Sequence, residues 1–357
     1  MKFTSGIISA VLATSTALGA PSPASDNIGR STAAAKTPVD IFRVNIAQAP
    51  TADGGLDVAL DQLVGVHKHN GTIMFVVDAT DKQTTGQLSK QYAFGNLVSG
   101  SPPRNTSFIL PGFFDSHVHA PQFAIIGLGY DMQLLPWLGN YTFPLEESFA
   151  NAKDGYPANE ASPESYIRKE YEKVVKKMIT QGTTTASYYA TIHPHASYIL
   201  AEEVARQGQR AYVGKVNTDI GPEPELNESI EKSMAGTREF IELVQGLNKS
   251  TVTPVISPRY GLGVSWDLLV QLGDLAREYN LPVQTHVDEN PLEIQAVAER
   301  FPNTTSYVDL YAQTGLLNVS HMILGHCVHV TDDEISEMLQ HPGVGCAPNP
   351  LSNFALT

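Results

Sequence analysis

The sequence predicts an α/β protein, a parallel strand-and-helix repeat of barrel type preceded by a small all-β unit. Three observations predict it. After Phe108, apolar strands alternate with helical stretches. Seven strand candidates can be counted in that part. Several of them end in polar or charged residues: His117 and His119, Arg259, His286 and Glu289, and His326. Such alternation is the signature of a parallel α/β architecture. In a barrel of these units, catalytic groups gather at the carboxyl ends of the strands. Seven strands place the barrel one short of eight.

The elements follow in order. Residues 1–20, "MKFTSGIISAVLATSTALGA", carry Lys2, an apolar run over residues 7–18 and the small Gly19 and Ala20. That is the layout of a secretory signal peptide, too short for a spanning helix, and it predicts an extracellular protein. Asn-X-Ser/Thr sequons at Asn70, Asn105, Asn140, Asn227, Asn248, Asn303 and Asn318 agree with it. Residues 21–37 are small, polar and interrupted by proline, and read as a disordered leader. Residues 38–107 read as short strands and turns, "VDIFRVNIA", "GTIMFVVDA" and "YAFGNLVSG", without a long helical period.

Residues 108–357 hold the alternation. "SFILPGFFDSHVH" is an apolar strand. Ser162 as N-cap and Pro163 in the first turn start a helix, in which Ile167, Tyr171, Val174, Val175 and Met178 recur at helical spacing until Gly182. The strands "TTTASYYAT" and "RAYVGKVNTD" follow, with a helix-like stretch between them. After the strand "TPVISPRYGLG", Ser265 caps a helix that turns Leu268, Leu269, Leu272 and Tyr279 inward. Next come "LPVQTHVDEN", a helix over 291–300 and "HMILGHCVHV"; Thr331 and Glu334 then form a capping box. The strand "GVGCAPNP" closes the series.

The chain of 357 residues is 42% hydrophobic and 17% charged, which suits a globular protein with a sizeable core. Its net charge of −14 argues against nucleic acid or an anionic membrane as partner, since either would favour a basic patch. Two cysteines, Cys327 and Cys346, are too few for a cysteine-rich zinc site or a disulfide framework.

Residues two apart in a strand face the same side, so His117 and His119 project together while Val118 points away. Two imidazoles at a strand end are well placed to share a metal ion, because neutral histidine is the commonest metal ligand. An isolated His-X-His is equally well a satisfied pair on a wet edge. His286 and His326, at two further strand ends, tip the balance toward a site. The remaining histidines, His193 among them, read as loop or surface residues.

The stretches "LPGFFDSHVHAPQF", "PWLGNYTFP", "GTTTASYYATIH", "GQRAYVGKV", "SPRYGLG", "QTHVDEN" and "LGHCV" together resemble the guanine deaminase family of the amidohydrolase superfamily. The resemblance runs in order from about residue 109 to the end, and more weakly across the β-rich start. It implies a metal-dependent hydrolase (β/α)8 barrel with a small β-sandwich, one Zn2+ per chain, a purine substrate and, as in many members, a homodimer. It implies that His117, His119 and His286 ligate zinc, that Glu289 shuttles a proton to the purine ring, and that His326 stands beside the water on the metal. Gln122, Arg259 and Tyr260 resemble the residues that read the guanine edge and ring, with Tyr260 where the family often has phenylalanine.

The implied reaction is hydrolysis of guanine to xanthine and ammonia. Its chemistry suits these residue types. Zinc lowers the pKa of bound water to about 7, a carboxylate can carry the proton the ring must gain, and a buried arginine left unmet by the wrong base discriminates strongly. Rival patterns fail at named places. The His-X-Glu and Pro-Cys-X-X-Cys of cytidine-type deaminases are missing, and "GVSWD" ends in Asp267 where a serine-hydrolase elbow needs glycine. Two-metal amidohydrolases carry a bridging lysine on the fourth strand, but Lys215 lies one strand earlier and is expected to be structural. In the family a further segment supplies the eighth strand and an aspartate ligand, so the sequence is expected to be truncated at its C-terminus. Its alternatives are a catalytically dead relative that keeps metal or purine binding, and a deaminase of a related aminopurine or pterin.

Overall fold

The computed structural model describes residues 36–47, 57–99, 108–150, 163–221 and 224–355. The expected signal peptide and the N-cap at Ser162 lie outside the described residues. The chain divides into two compact units, residues 1–111 and 112–357. No helix among the described residues is long and apolar enough to cross a membrane.

In the first unit β1 (Thr37–Ala47), β2 (Val58–His67), β3 (Ile73–Asp78), β4 (Tyr92–Ser99) and β5 (Phe108–Ile109) form one sheet. Its order is β3-β2-β1-β4, with β5 also paired to β1. The first three strands are antiparallel, whereas β4 and β5 run parallel to β1. Strand β1 begins at Thr37, so the sheet takes in the end of the stretch expected to be a leader. The unit is also not all-β. Helix α1 (Lys82–Gln91) precedes β4, capped by Asp81, which accepts hydrogen bonds from the Gln83 and Thr84 amides. Its residues are almost all polar and Leu88 alone packs on the core of Val39, Ile41 and Tyr92, so no apolar period announces it.

The apolar run expected as one strand divides at Leu110, Pro111 and Gly112. Phe108 and Ile109 pair with β1, and β6 (Phe113–His119) opens the second unit. Gly112 lies so close to Thr184 that a Cβ there would meet its hydroxyl at 1.9 Å.

In the second unit, after β6, short helices α2 (Leu134–Trp137) and α3 (Phe143–Glu147) flank a π-helical turn. Then follow α4 (Pro163–Thr180), β7 (Thr183–Tyr189), α5 (Pro194–Gln207), β8 (Arg210–Gly214), β9 (Val216–Asn217) and α6 (Ile230–Gly246). The series continues with β10 (Val252–Pro254), β11 (Ser257–Pro258), α7 (Trp266–Tyr279), β12 (Val283–Val287), α8 (Pro291–Arg300) and α9 (Tyr307–Gln313). It closes with β13 (Met322–His326), α10 (Asp332–Met338), β14 (Val344–Ala347) and α11 (Pro350–Ala355).

Every pairing in this unit is parallel. The order β6-β7-β8-β10 is extended by β9 beside β11, a bridge from Ile256 to Val283, and β12-β13-β14. Counting β8 with β9, and β10 with β11, as two interrupted strands, the strands stand side by side in chain order. Strands on one face of α/β layers must be covered, and here α4, α5 and α6 cover the early strands and α7 and α9 the later ones. Helix α7 turns Leu268, Leu269 and Leu272 into that core, with Ser265 accepting from the Leu268 amide. The Thr331–Glu334 capping box starts α10. Side chains from well-separated strands meet inside: Gln284 on β12 accepts from Ser187 on β7 at 2.7 Å and donates to Ser257 on β11 at 2.8 Å.

Candidate metal and substrate site

Strand β6 delivers the first two imidazoles. A register irregularity against β7 between Asp115 and Val118 bulges the strand there, and Asp115 accepts from the His117 amide at 3.2 Å. Bulges re-aim side chains, and the rings of His117 and His119 stand 5.1 Å apart. The end of β12 supplies His286, whose ring lies 4.6 Å from that of His117. The end of β13 supplies His326, 4.8 Å from it. Gly325 makes room, because a Cβ there would come within 2.4 Å of His117 Cε1. His326 and Cys327 both adopt positive φ, 71° and 49°, as the chain turns off the strand. That region is sparsely used by non-glycine residues, and such strain clusters at functional sites.

Four imidazoles therefore converge where the sequence pointed to three ligands and a neighbour. The ring nitrogens of His117, His286 and His326 lie within 4.8 Å of one another. His119 meets His286 Nε2 to Nε2 at 2.8 Å and stacks on Tyr189 with ring centroids 4.6 Å apart. Burial holds His117, His119 and His286 well below the usual histidine pKa, and their neighbours add to it. Burial pushes His326 down to about 4. A neutral imidazole presents one lone pair, and among the described residues neither nitrogen of His117 nor Nδ1 of His119 has a hydrogen-bond partner. His286 Nδ1 sits 2.5 Å from the Arg259 carbonyl, which accepts its proton and leaves Nε2, facing His119, as the lone-pair atom. Neutral, buried, orphaned nitrogens in one cluster fit a metal ion such as zinc.

A cavity of about 580 Å³ opens over this cluster. All eight residues singled out by the sequence line it: His117, His119, Gln122, Arg259, Tyr260, His286, Glu289 and His326. Glu289 Oε1 lies 3.4 Å from His326 Nε2 and accepts from the Ser352 hydroxyl at 3.4 Å. Burial pushes the Glu289 carboxyl up to about 8, with Ser352 and the Arg259 charge pulling the other way.

Sequence reasoning missed several groups. Glu146 on α3 holds Arg259 by two hydrogen bonds, of 2.5 and 3.0 Å, inside the stretch "PWLGNYTFP" and its continuation. Asn353 Oδ1 accepts from His326 Nδ1 at 2.9 Å, and Tyr311 donates to the His286 carbonyl at 2.7 Å. Neither Glu146 nor Asn353 had a periodic or spacing signal. His193, expected in a loop or at the surface, caps α5 from the loop before it and is partly buried; burial, with Lys215 and Lys232 nearby, brings it to about 4. Cys327 and Cys346 form a disulfide between the ends of β13 and β14, with Cα atoms 6.1 Å apart.

A parallel α/β unit that gathers histidines at its strand ends has the architecture of proteins that hold a metal ion there. Residues 108–357 match the amidohydrolase family, and the chain belongs to it. It is 37% identical over 320 residues to a probable guanine deaminase of Schizosaccharomyces pombe, covering 89% of this chain and 57% of that one. It is 34% identical to the guanine deaminase of Rattus norvegicus over 85% of this chain and 63% of that one. A solved guanine deaminase from C. acetobutylicum, with guanine bound in its active site, superposes with a TM-score of 0.75 at 31% identity. That match covers 89% of this chain and 69% of the solved one. The chain thus spans 57% and 63% of the length of the two curated relatives.

Proposed function

We propose that this chain is a zinc-dependent aminohydrolase that converts guanine and water to xanthine and ammonia. The observation that carries the reading is the meeting, in one cavity, of four neutral imidazoles with Glu289, Gln122, Arg259 and Tyr260. Guanine deaminases among its relatives support the substrate. The parallel strand order, with Gln284 reaching Ser187 and Ser257, supports a (β/α)8-type barrel, and the mixed sheet of the first unit supports the small accompanying β-domain.

His117, His119 and His286 would hold one zinc ion, which supplies a water of lowered pKa. His286 is fixed for this by the Arg259 carbonyl. His326 instead turns Nε2 toward Glu289 and is anchored through Nδ1 by Asn353, which suits a group beside the attacking water. Glu289, whose carboxyl burial raises to about 8, would take the proton that the attacking water loses and pass it to the ring nitrogen. Arg259 donates to the base's carbonyl oxygen and Tyr260 packs on its ring.

The test is zinc content and xanthine formation by the purified chain. One zinc per chain is expected, with Glu289→Gln keeping it and losing at least about 10²-fold in turnover. Two ions per chain, or near-normal turnover in the variant, would refute these roles.

The apolar N-terminus and the sequons support secretion, and the Cys327–Cys346 bridge suits an oxidising compartment. Recovery of the protein only from the cytoplasm would overturn that reading.

A further inference from the structure

We propose that Glu146 is the positioning residue for the base-reading arginine, and that by cancelling its charge it makes the pocket select a neutral purine over an anionic one. The inference rests on the purine reading above. Arg259 follows β11 and is buried, and Glu146, 113 positions earlier in the chain, is completely buried. The carboxylate meets the guanidinium end-on, Oε2 to Nη1 at 2.5 Å and Oε1 to Nη2 at 3.0 Å. Phe143, one turn earlier on α3, places its ring 5.2 Å from the guanidinium carbon. One helical turn thus fixes both the plane and the face of the arginine.

A guanidinium carries five N–H donors. Glu146 takes one from each terminal nitrogen and leaves three, on a residue that lines the cavity. A lone buried cation would draw in any anion, since charges interact strongly away from water. Paired with Glu146, the group is neutral overall and recognises by hydrogen-bond geometry. Burial pushes the guanidinium down, and the Glu146 charge and hydrogen bonds more than offset it, so Arg259 keeps its charge. Selection of this kind has a chemical purpose. Xanthine, the dione product, gives up a ring proton far more readily than guanine does, so its anion is what an unpaired arginine would retain.

The experiment measures binding of hypoxanthine, a neutral purine, and of xanthine as its anion in mildly alkaline buffer, by calorimetry on the zinc-loaded chain. Glu146→Gln is expected to tighten xanthine relative to hypoxanthine by about tenfold or more, a shift of about 1.4 kcal/mol. An unchanged ratio in Glu146→Gln, with both ligands weakened alike, would mean that the residue only supports the fold. If that variant does not fold, Glu146→Asp carries the test. It keeps the charge but draws the arginine back, so both ligands should weaken together, and a shifted ratio there overturns the proposal. Wild-type protein that binds neither purine would instead sink the purine reading itself.

Discussion

A methyl group added at Gly325 would lie 2.4 Å from Cε1 and 2.5 Å from Nδ1 of His117. Real side chains do not approach so closely, so the ring must move or β13 must shift. Gly325→Ala is therefore expected to lower zinc occupancy severalfold while leaving helix content unchanged, read by metal analysis and circular dichroism. Equal zinc in the variant would mean that His117 is not a ligand. At this scale the sequence showed the histidines, because strand periodicity and strand ends are local patterns. It did not show Gly325 as their spacer, nor Glu146 or Asn353 as partners. Those roles depend on contacts between residues far apart in the chain, and no spacing rule encodes them. The division of four imidazoles into ligands and neighbour rested on resemblance rather than on periodicity.

Among the elements, the third strand of the second unit shows how a local rule yields to a buried charge. Lys215 separates β8 from β9, and its side chain is fully buried. Its ammonium donates to Glu228 at 2.5 Å and to the Val216 carbonyl at 3.1 Å. Burial lowers its pKa, and Glu228 opposes that shift. The expectation that this lysine is structural agrees with its place behind the strand, bonded to Glu228. Removing one partner of a buried pair leaves an uncompensated charge, so Lys215→Met should cost about 3–5 kcal/mol of unfolding free energy. The double variant Lys215→Met with Glu228→Leu should recover most of that loss in chemical denaturation. A double variant as unstable as the single would show that the pair's attraction, rather than the orphaned carboxylate, sets the cost. Strong apolar periods made α4 and α7 legible, whereas α1 is almost wholly polar and the one-turn helices α2 and α3 are too short to show a period.

For the molecule as a whole, the same burial that prepares the site sets a pH dependence of stability. Burial first, and then the Glu289 charge, raises the Glu293 carboxyl from 4.5 to about 8, although Tyr307 donates to it at 2.8 Å. Asp288 and Glu289 are likewise raised to about 8 by burial. A raised carboxyl keeps its proton in the folded chain after the unfolded chain has released it. Its contribution is complete below the unfolded value and is lost as pH rises toward 8. The buried histidines have the opposite sign, since they are neutral when folded and protonate in the unfolded chain below about 6.5. Above that value they are neutral in both states and add no slope. Between about pH 6.5 and 8 the carboxyls therefore dominate, and the metal-free chain should lose stability as pH rises. Chemical denaturation at several pH values, with zinc removed so that its charge does not enter, reads the slope. Glu293→Gln should flatten part of it, because the amide neither holds nor releases that proton. Stability that rises across this window in the unsubstituted chain would mean that these carboxyls are ionised in the fold, and the desolvated carboxyl cluster beside the site would have to be abandoned.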